Sequence, residues 1–428
     1  MSWIRRRPLT ALAGLALALR VACAVTAEFK PLFPAYYYTD AALTHSAASA
    51  ALGDIRNGRQ PHINGTLGER IQTWISLELY RVFGPRPFQI KLLNALFGAL
   101  AVATFAWAMS MAAPARASLT AGFCMAVWPS HIFYTSQNLK EAPVALLTYA
   151  AIGAAFAAGL DEKAPKPRTA SLALGAGLAL LAAAFYRSYL PVGLGAALLI
   201  ALGLSAHRPP RANAVMTAVV LILALALYPS AARGLLDSFH SGDLGSTDQK
   251  RITPHLIPVT YDAADANIIL RPTSPAGISR FRGVRQSADR NWAAALAGRE
   301  IGTQIYPGET FTTWLDVLLY LPKGAFTVLF MPLPGLYPMD GKIGRWAAAA
   351  ENAALLLLAL FAAAGAARGR KTPARLGLLA FFAVMTAGSA LLEFDLGSAG
   401  RHKLLYLPML FPFAAEETLR LLRVKAYA

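Results

Sequence analysis

The chain alternates between long apolar blocks and short polar connections. The blocks run to roughly 18–24 residues, the length at which a helix rising 1.5 Å per residue crosses about 30 Å of hydrocarbon. Ten stand out, at 9–26, 88–111, 117–134, 141–160, 169–186, 189–206, 212–231, 347–367, 375–393 and 403–421. The pattern predicts an all-α polytopic membrane protein of about 10–12 transmembrane helices. A further apolar stretch, "TWLDVLLYLPKGAFTVLFMPLPGLYP" (313–338), is interrupted by Pro322, Pro332, Pro334 and Pro338. Counted as a span, it would place the basic loop 368–375 on the wrong side of the membrane. The region 313–346 therefore reads as re-entrant or interfacial, with its freed backbone groups satisfied against the bundle.

Two polar stretches are too long for turns. The first, 27–87, carries helical patterns at 41–53 and 70–83 ("RIQTWISLELYRVF"). In the second helix Ile71, Trp74, Ile75, Leu77, Leu79 and Val82 are interleaved with polar residues, as in a helix lying on a bilayer surface. The other stretch, 233–312, is mostly polar and reads as a small outer domain of mixed structure. The expected order is a first span (1–26), an outer loop with amphipathic helices (27–87), spans two to seven (88–232), the outer domain (233–312), the interrupted segment (313–346) and the C-terminal spans (347–428).

Composition agrees. Of 428 residues 56% are hydrophobic and 15% charged, more apolar than one soluble core of this size requires. The opening "MSWIRRRPLTALAGLALALRVACAVTA" has the basic start and apolar run of a secretory leader. It reads as an uncleaved first span, since many spans follow. Cys23 and Cys124 both fall in predicted spans and read as small buried hydrophobes.

The net charge of +17 could indicate nucleic acid, but its distribution excludes that. Basic residues fill the N-terminus and the loops near 116, 163–168, 208–211 and 368–375, whose only acids are Asp161 and Glu162. The segment 233–320 carries nine basic and nine acidic residues. This is positive-inside topology beside anionic lipid, with the N-terminus in the cytoplasm of a bacterial inner membrane.

Candidate chemistry gathers in the opposite loops. Asp40 opens the helical pattern 41–53, where a carboxylate serves as an N-cap. Set under Tyr36, Tyr37 and Tyr38, it is also a candidate general base or metal ligand. Lys140 and Glu141 stand where the turn "YTSQNLKEAP" enters a helix; solvated turn charges are the alternative. Arg187 in "FYRSYLP" sits in a very short turn and needs a carboxylate or a lipid phosphate, unless it snorkels to the headgroups. Arg20 inside the first span needs a partner too, with Asp40 or a lipid phosphate as candidates. In "LLEFDLGSAGRHKLLYLP", Glu393, Asp395, Arg401, His402 and Lys403 gather in one turn, where two cations and a histidine at a helix start suit a phosphate. The sequence has neither a Gly-Lys-Ser/Thr phosphate loop nor a His-Glu-x-x-His zinc pattern.

Four stretches together resemble the GT-C superfamily of polytopic glycosyltransferases, in its protein O-mannosyltransferase-like and lipid A aminoarabinose transferase-like branch. They are Arg20 followed by the loop acid Asp40, "GPRPFQIKLLNALFGALAVATFAWA", "WPSHIFYTSQNLKEAP" and "LGSAGRHKLLYLPMLFPFAAE". The resemblance implies transfer of a sugar from a polyprenyl-phosphate donor to a periplasmic acceptor, whether lipid, glycan or protein. It assigns catalysis to Asp40 and Glu141, and contact with the carrier's phosphate to Arg401, His402, Lys403, Arg187 and Arg20. Relatives often carry two adjacent acids in the first loop, whereas Ala41 follows Asp40 here. His45 and Asp54 are then the residues left to complete a divalent-cation site at Asp40, and the cofactor stays open. A flippase for lipid-linked sugars, a polymerase or ligase using lipid-linked oligosaccharide, and a non-catalytic scaffold are the rival readings.

Overall fold

The computed structural model describes residues 7–31, 33, 38–61, 63, 65–160, 166–206, 211–240, 274–297, 303–339 and 343–422. Among them the structure is helical, with a single isolated antiparallel bridge between Gln304 and Asp395. The expected all-α class holds. The chain forms two compact units, one of 1–239, 354–382 and 404–428, the other of 240–353 and 383–403.

The first unit begins with α1 (Pro8–Phe29), α2 (Thr39–Arg56), α3 (Leu67–Phe83) and α4 (Pro87–Met109). It continues with α5 (Ala115–Val127), α6 (Pro129–Tyr134), α7 (Glu141–Leu160), α8 (Lys166–Tyr186), α9 (Leu190–Ser205) and α10 (Arg211–His240). Pro8, Pro87 and Pro129 stand in the first turns of their helices, where the missing N–H costs nothing. Helix α7 packs against α4 and α8, and α1 against α4 and α5. Small residues allow the close approach: a Cβ on Gly153 of α7 would collide with the ring of Trp107 in α4.

Seven described helices are long and apolar enough to cross a membrane: α1, α4, α7, α8, the Arg211–Ala232 part of α10, α13 (Ile343–Arg368) and α14 (Pro373–Leu392). The protein is multi-pass. Three expected spans differ. The block 117–134 is broken after Val127, because Pro129 cannot continue α5, and α9 is a shorter apolar helix. The block 403–421 splits into 3₁₀ turns at Lys403–Leu405 and Leu407–Leu410, followed by an 11-residue helix, Phe411–Leu421. That last helix belongs to the first unit, where Arg375 donates to Glu416 at 2.6 and 2.7 Å and Arg368 pairs with Glu417.

The two helices expected at 41–53 and 70–83 are α2 and α3, each a few residues longer. They pack together through Ala48, Ala51, Leu52, Leu77 and Tyr80, joined by Ile63. A capping box between Thr66 and Glu69 starts α3, with Thr66 N donating to Glu69 Oε2 at 2.9 Å. The orientation of α3 is unusual for a soluble helix. Gln72, Thr73 and Ser76 are buried while Trp74, Val82 and Phe83 are exposed.

The second unit holds α11 (Pro275–Ala297), α12 (Trp314–Phe330), the ends of α13 and α14 that fall within it, and α15 (Leu396–His402). Its core is Ile278, Phe311, Val317 and Tyr320. Arg282 is buried there, its guanidinium 5.1 Å from the Tyr320 ring and donating to the carbonyls of Ala390, Leu391 and Ile305. Part of the expected outer domain, 241–273 and 298–302, lies outside the described residues. The proline-interrupted segment contributes α12, which keeps Pro322 inside one helix and exposes Trp314, Leu315, Leu318 and Leu319.

Candidate functional site

Asp40 lies in the first turn of α2 and is exposed. The expectation that it is the N-cap is not met: Tyr38 is the residue before the helix, so Asp40 lies two positions past the cap. Its negative charge still favours the positive helix end. Tyr38 packs on Phe133 of α6 with ring centroids 5.6 Å apart, and Phe33 packs on the same ring at 5.5 Å. The first turn of α2 is thereby fixed to α6. Tyr36 and Tyr37 lie outside the described residues.

His45, one turn further along α2, shares a hydrogen bond with the Tyr80 hydroxyl, Nδ1 to oxygen 2.9 Å. Burial holds its pKa below the ordinary value, Glu28 opposing and Lys91 adding to that shift. Glu28 and Lys91 are themselves an ion pair of 2.6 Å between α1 and α4, which the sequence reading did not single out. Asp54 sits in the last turn of α2. Fourteen residues of helix put it about 21 Å from Asp40, too far for a shared metal. Among the described residues no three His, Cys, Asp or Glu side chains come together to hold a metal ion.

Glu141 and Arg187 form one buried ion pair, joining the start of α7 to the residue after α8. The carboxylate that Arg187 needs is thus Glu141. Beside them Lys140 reaches Glu69 of α3 at 3.4 Å.

Arg20 is fully buried, and its hydrogen-bond partners among the described residues are neutral groups, not Asp40. Nε donates to Thr135 Oγ1 at 2.8 Å, Nη1 to the carbonyls of Ala16 at 3.0 Å and Ala126 at 3.4 Å, and Nη2 to His131 Nδ1 at 2.7 Å. The reason is local. Pro129 breaks the helix, Ala126 is left among the orphan carbonyls ending α5, and the guanidinium covers it.

Glu393, Arg401, His402 and Lys403 belong to the second unit. The expected phosphate cradle at a helix start is not found, because Asp395 occupies the start of α15. Its Oδ1 accepts from Gly397 N at 2.7 Å and Ser398 N at 2.9 Å. Arg401 and His402 stand instead in the last turn, where cations suit the negative helix end. His402 pairs with Glu393, both buried. Lys403 is buried and donates to Leu329 O at 3.1 Å and Asn352 Oδ1 at 2.6 Å. Arg401 is the half-exposed member of the group.

No protein-family model matches the sequence, and no curated protein matches it. Solved structures do. The apo oligosaccharyltransferase of Archaeoglobus fulgidus aligns over 99% of this chain with a TM-score of 0.53 and 13% identity. Oligosaccharyltransferase AglB from the same organism, in complex with an inhibitory peptide and a dolichol-phosphate, aligns over 98% with a TM-score of 0.55 and 13% identity.

The fold is that of these two archaeal oligosaccharyltransferase structures.

This bears out the fold expected from the four sequence stretches. The chain spans about half the length of these two structures, 52% of each. ArnT from Cupriavidus metallidurans, bound to undecaprenyl phosphate, aligns over 94% of the chain and 77% of its own at 14% identity, with a TM-score of 0.34, too low to support a shared fold.

Proposed function

We propose that this protein transfers a sugar from a polyprenyl-phosphate-linked donor to an acceptor at the periplasmic face of a bacterial inner membrane. The observation that carries the reading is the GT-C-like fold over nearly the whole chain, combined with an exposed Asp40 whose helix is fixed to α6 by Tyr38 and Phe133. A dolichol-phosphate bound to one structure of this fold makes a polyprenyl carrier the natural donor.

In this reading the acceptor oxygen attacks the anomeric carbon, and the bond from that carbon to the carrier's phosphate oxygen breaks. The phosphate leaves with the electron pair, and Asp40 takes the acceptor's proton. Glu141 is held by Arg187 and shapes the same end of the first unit. Arg401, half-buried, is the favoured carrier-phosphate contact among residues 401–403, since His402 and Lys403 are more deeply buried. The similarity to oligosaccharyltransferases favours one alternative donor, an oligosaccharide on the same type of carrier.

The test is sugar transfer by reconstituted protein from a panel of polyprenyl-phosphate mono- and oligosaccharides, wild type against Asp40→Asn. Release of carrier phosphate that falls by about 10²-fold or more in the variant is expected. A fully active, well-folded variant would remove Asp40 from the mechanism. Movement of lipid-linked sugar between leaflets with no new glycosidic bond would replace transfer by transport.

A further inference from the structure

The loop between α6 and α7 is buried, which is rare for irregular backbone in any protein. Thr135, Ser136, Gln137 and Asn138 are each at most 1% exposed. Their main chain is partly accounted for: Asn94 Nδ2 donates to the carbonyls of Gln137 at 2.5 Å and Leu139 at 2.8 Å. The cover over the loop is the polar face of α3. Gln72 Nε2 and Ser76 Oγ both donate to Asn138 Oδ1 at 3.2 Å. This explains why α3 turns Gln72 and Ser76 inward and Trp74 outward.

Five buried polar atoms here have no hydrogen-bond partner among the described residues: His131 Nε2, Gln137 Nε2 and Oε1, Asn138 Nδ2 and Asn94 Oδ1. The state of His131 follows from its neighbour. A guanidinium has no acceptor, so Arg20 donates into Nδ1, and the neutral ring carries its proton on Nε2. The set is then three N–H donors and two carbonyl acceptors. A buried group left unpaired loses its hydration with nothing in return.

We propose that the segment 131–138, with Asn94, is a buried binding site for neutral hydroxyl groups, covered by α3. The mixture of donors and acceptors decides the chemistry. An anion would meet the repulsion of Gln137 Oε1 and Asn94 Oδ1, a cation that of the buried Arg20, and an apolar group would satisfy none of the five. A hydroxyl donates and accepts at once. Two sources supply it: ordered water, which commonly fills such sites, or the hydroxyls of a sugar. The second source rests on the transfer reading; the first does not.

The test uses full-length protein in lipid nanodiscs. Hydroxyl-radical footprinting of side chains 131–138 is combined with melting midpoints, with and without free mannose, galactose or N-acetylglucosamine. Ordered water predicts rapid labelling of this inaccessible segment, unchanged by any sugar. It also predicts a midpoint several degrees lower in Gln137→Met, which keeps the side-chain length but removes both amide atoms. A bound sugar predicts a midpoint raised by one monosaccharide, protection of 131–138 by that sugar, and loss of the shift in Gln137→Met. Wild-type protein that shows neither labelling of 131–138 nor a sugar-dependent shift overturns the proposal, however the variant behaves. None of these readouts requires transfer activity, so failure of this site and failure of the proposed reaction are distinguishable.

Discussion

Arg20 Nη2 donates to His131 Nδ1 at 2.7 Å, and no carboxylate pairs with either side chain among the described residues. A cation inside a membrane bundle is thus held by neutral groups alone: one imidazole, one hydroxyl and two main-chain carbonyls. Truncation strands several of them at once. Arg20→Met should lower stability by about 2–3 kcal/mol, the scale of losing hydrogen bonds to a charged group. Chemical or thermal unfolding of the detergent-solubilised protein measures it, and an unchanged midpoint would contradict the network.

Glu141 and Arg187 should behave as a coupled pair. Removing one partner leaves a buried charge alone, so Glu141→Gln and Arg187→Met are each expected to cost about 3 kcal/mol, with the double variant costing clearly less than the sum. A double-mutant cycle on unfolding midpoints checks this. Additive losses would mean the two side chains are held by other groups.

Gly68 fixes the start of α3 against α8, since a Cβ there would run into the main-chain carbonyl of Tyr186. Gly68→Ala should therefore shift α3 and cost about 1–3 kcal/mol. Faster amide exchange confined to 67–83 is the expected signature. Exchange equal to wild type would show that α3 docks without this contact.

His45 makes the α2–α3 pair sensitive to acid. Burial lowers its pKa from the ordinary 6.5, so between the folded value and 6.5 the unfolded chain binds more protons. The stability it contributes is complete above about pH 6.5 and declines as pH falls toward the folded value. The opening equilibrium read from amide exchange in 39–56 and 67–83, after division by the base-catalysed intrinsic rate, should rise as pH falls from about 7.5 to about 5.5. In His45→Asn, which does not titrate, this dependence should flatten; an equal rise in both proteins would assign it to other groups.

Lys403 is expected to support structure. Lys403→Met should be destabilising by about 1–3 kcal/mol because it leaves Asn352 and the Leu329 carbonyl unpaired. Adding Asn352→Leu should recover part of the loss. A double variant that regains stability but shows a raised KM for the lipid-linked donor would return Lys403 to the carrier's phosphate.

Much of this architecture was legible in the sequence, and the exceptions have physical causes. Long apolar blocks have one solution in lipid, so α1, α4, α7, α8, α13 and α14 were readable. The helices at 41–53 and 70–83 were readable from spacing, but not which face of α3 turns inward, because that depends on a polar loop waiting beneath it. The block 117–134 misled because hydropathy does not register one proline, whereas the chain breaks at Pro129. Ionisable residues were visible as candidates, but their partners were not. Arg20 meets residues more than 100 positions away, and Lys403 meets Asn352 at 51. Asn94 carried a faint signal, an amide inside an apolar block, whereas Gln137 was hidden in the polar run "TSQN". Their importance emerges only once the fold shows that Asn94 Oδ1 and both amide atoms of Gln137 are buried with no hydrogen-bond partner among the described residues.

The break at Pro129 has one more consequence. The orphan carbonyl of Ala126 meets the guanidinium of Arg20 across 106 positions. A lineage that restored a continuous helix by replacing Pro129 would leave the arginine to its other three partners, and one that lost the arginine would strand the carbonyl. The two positions are expected to change together among descendants of this sequence, as a covarying pair whose link is a single main-chain oxygen.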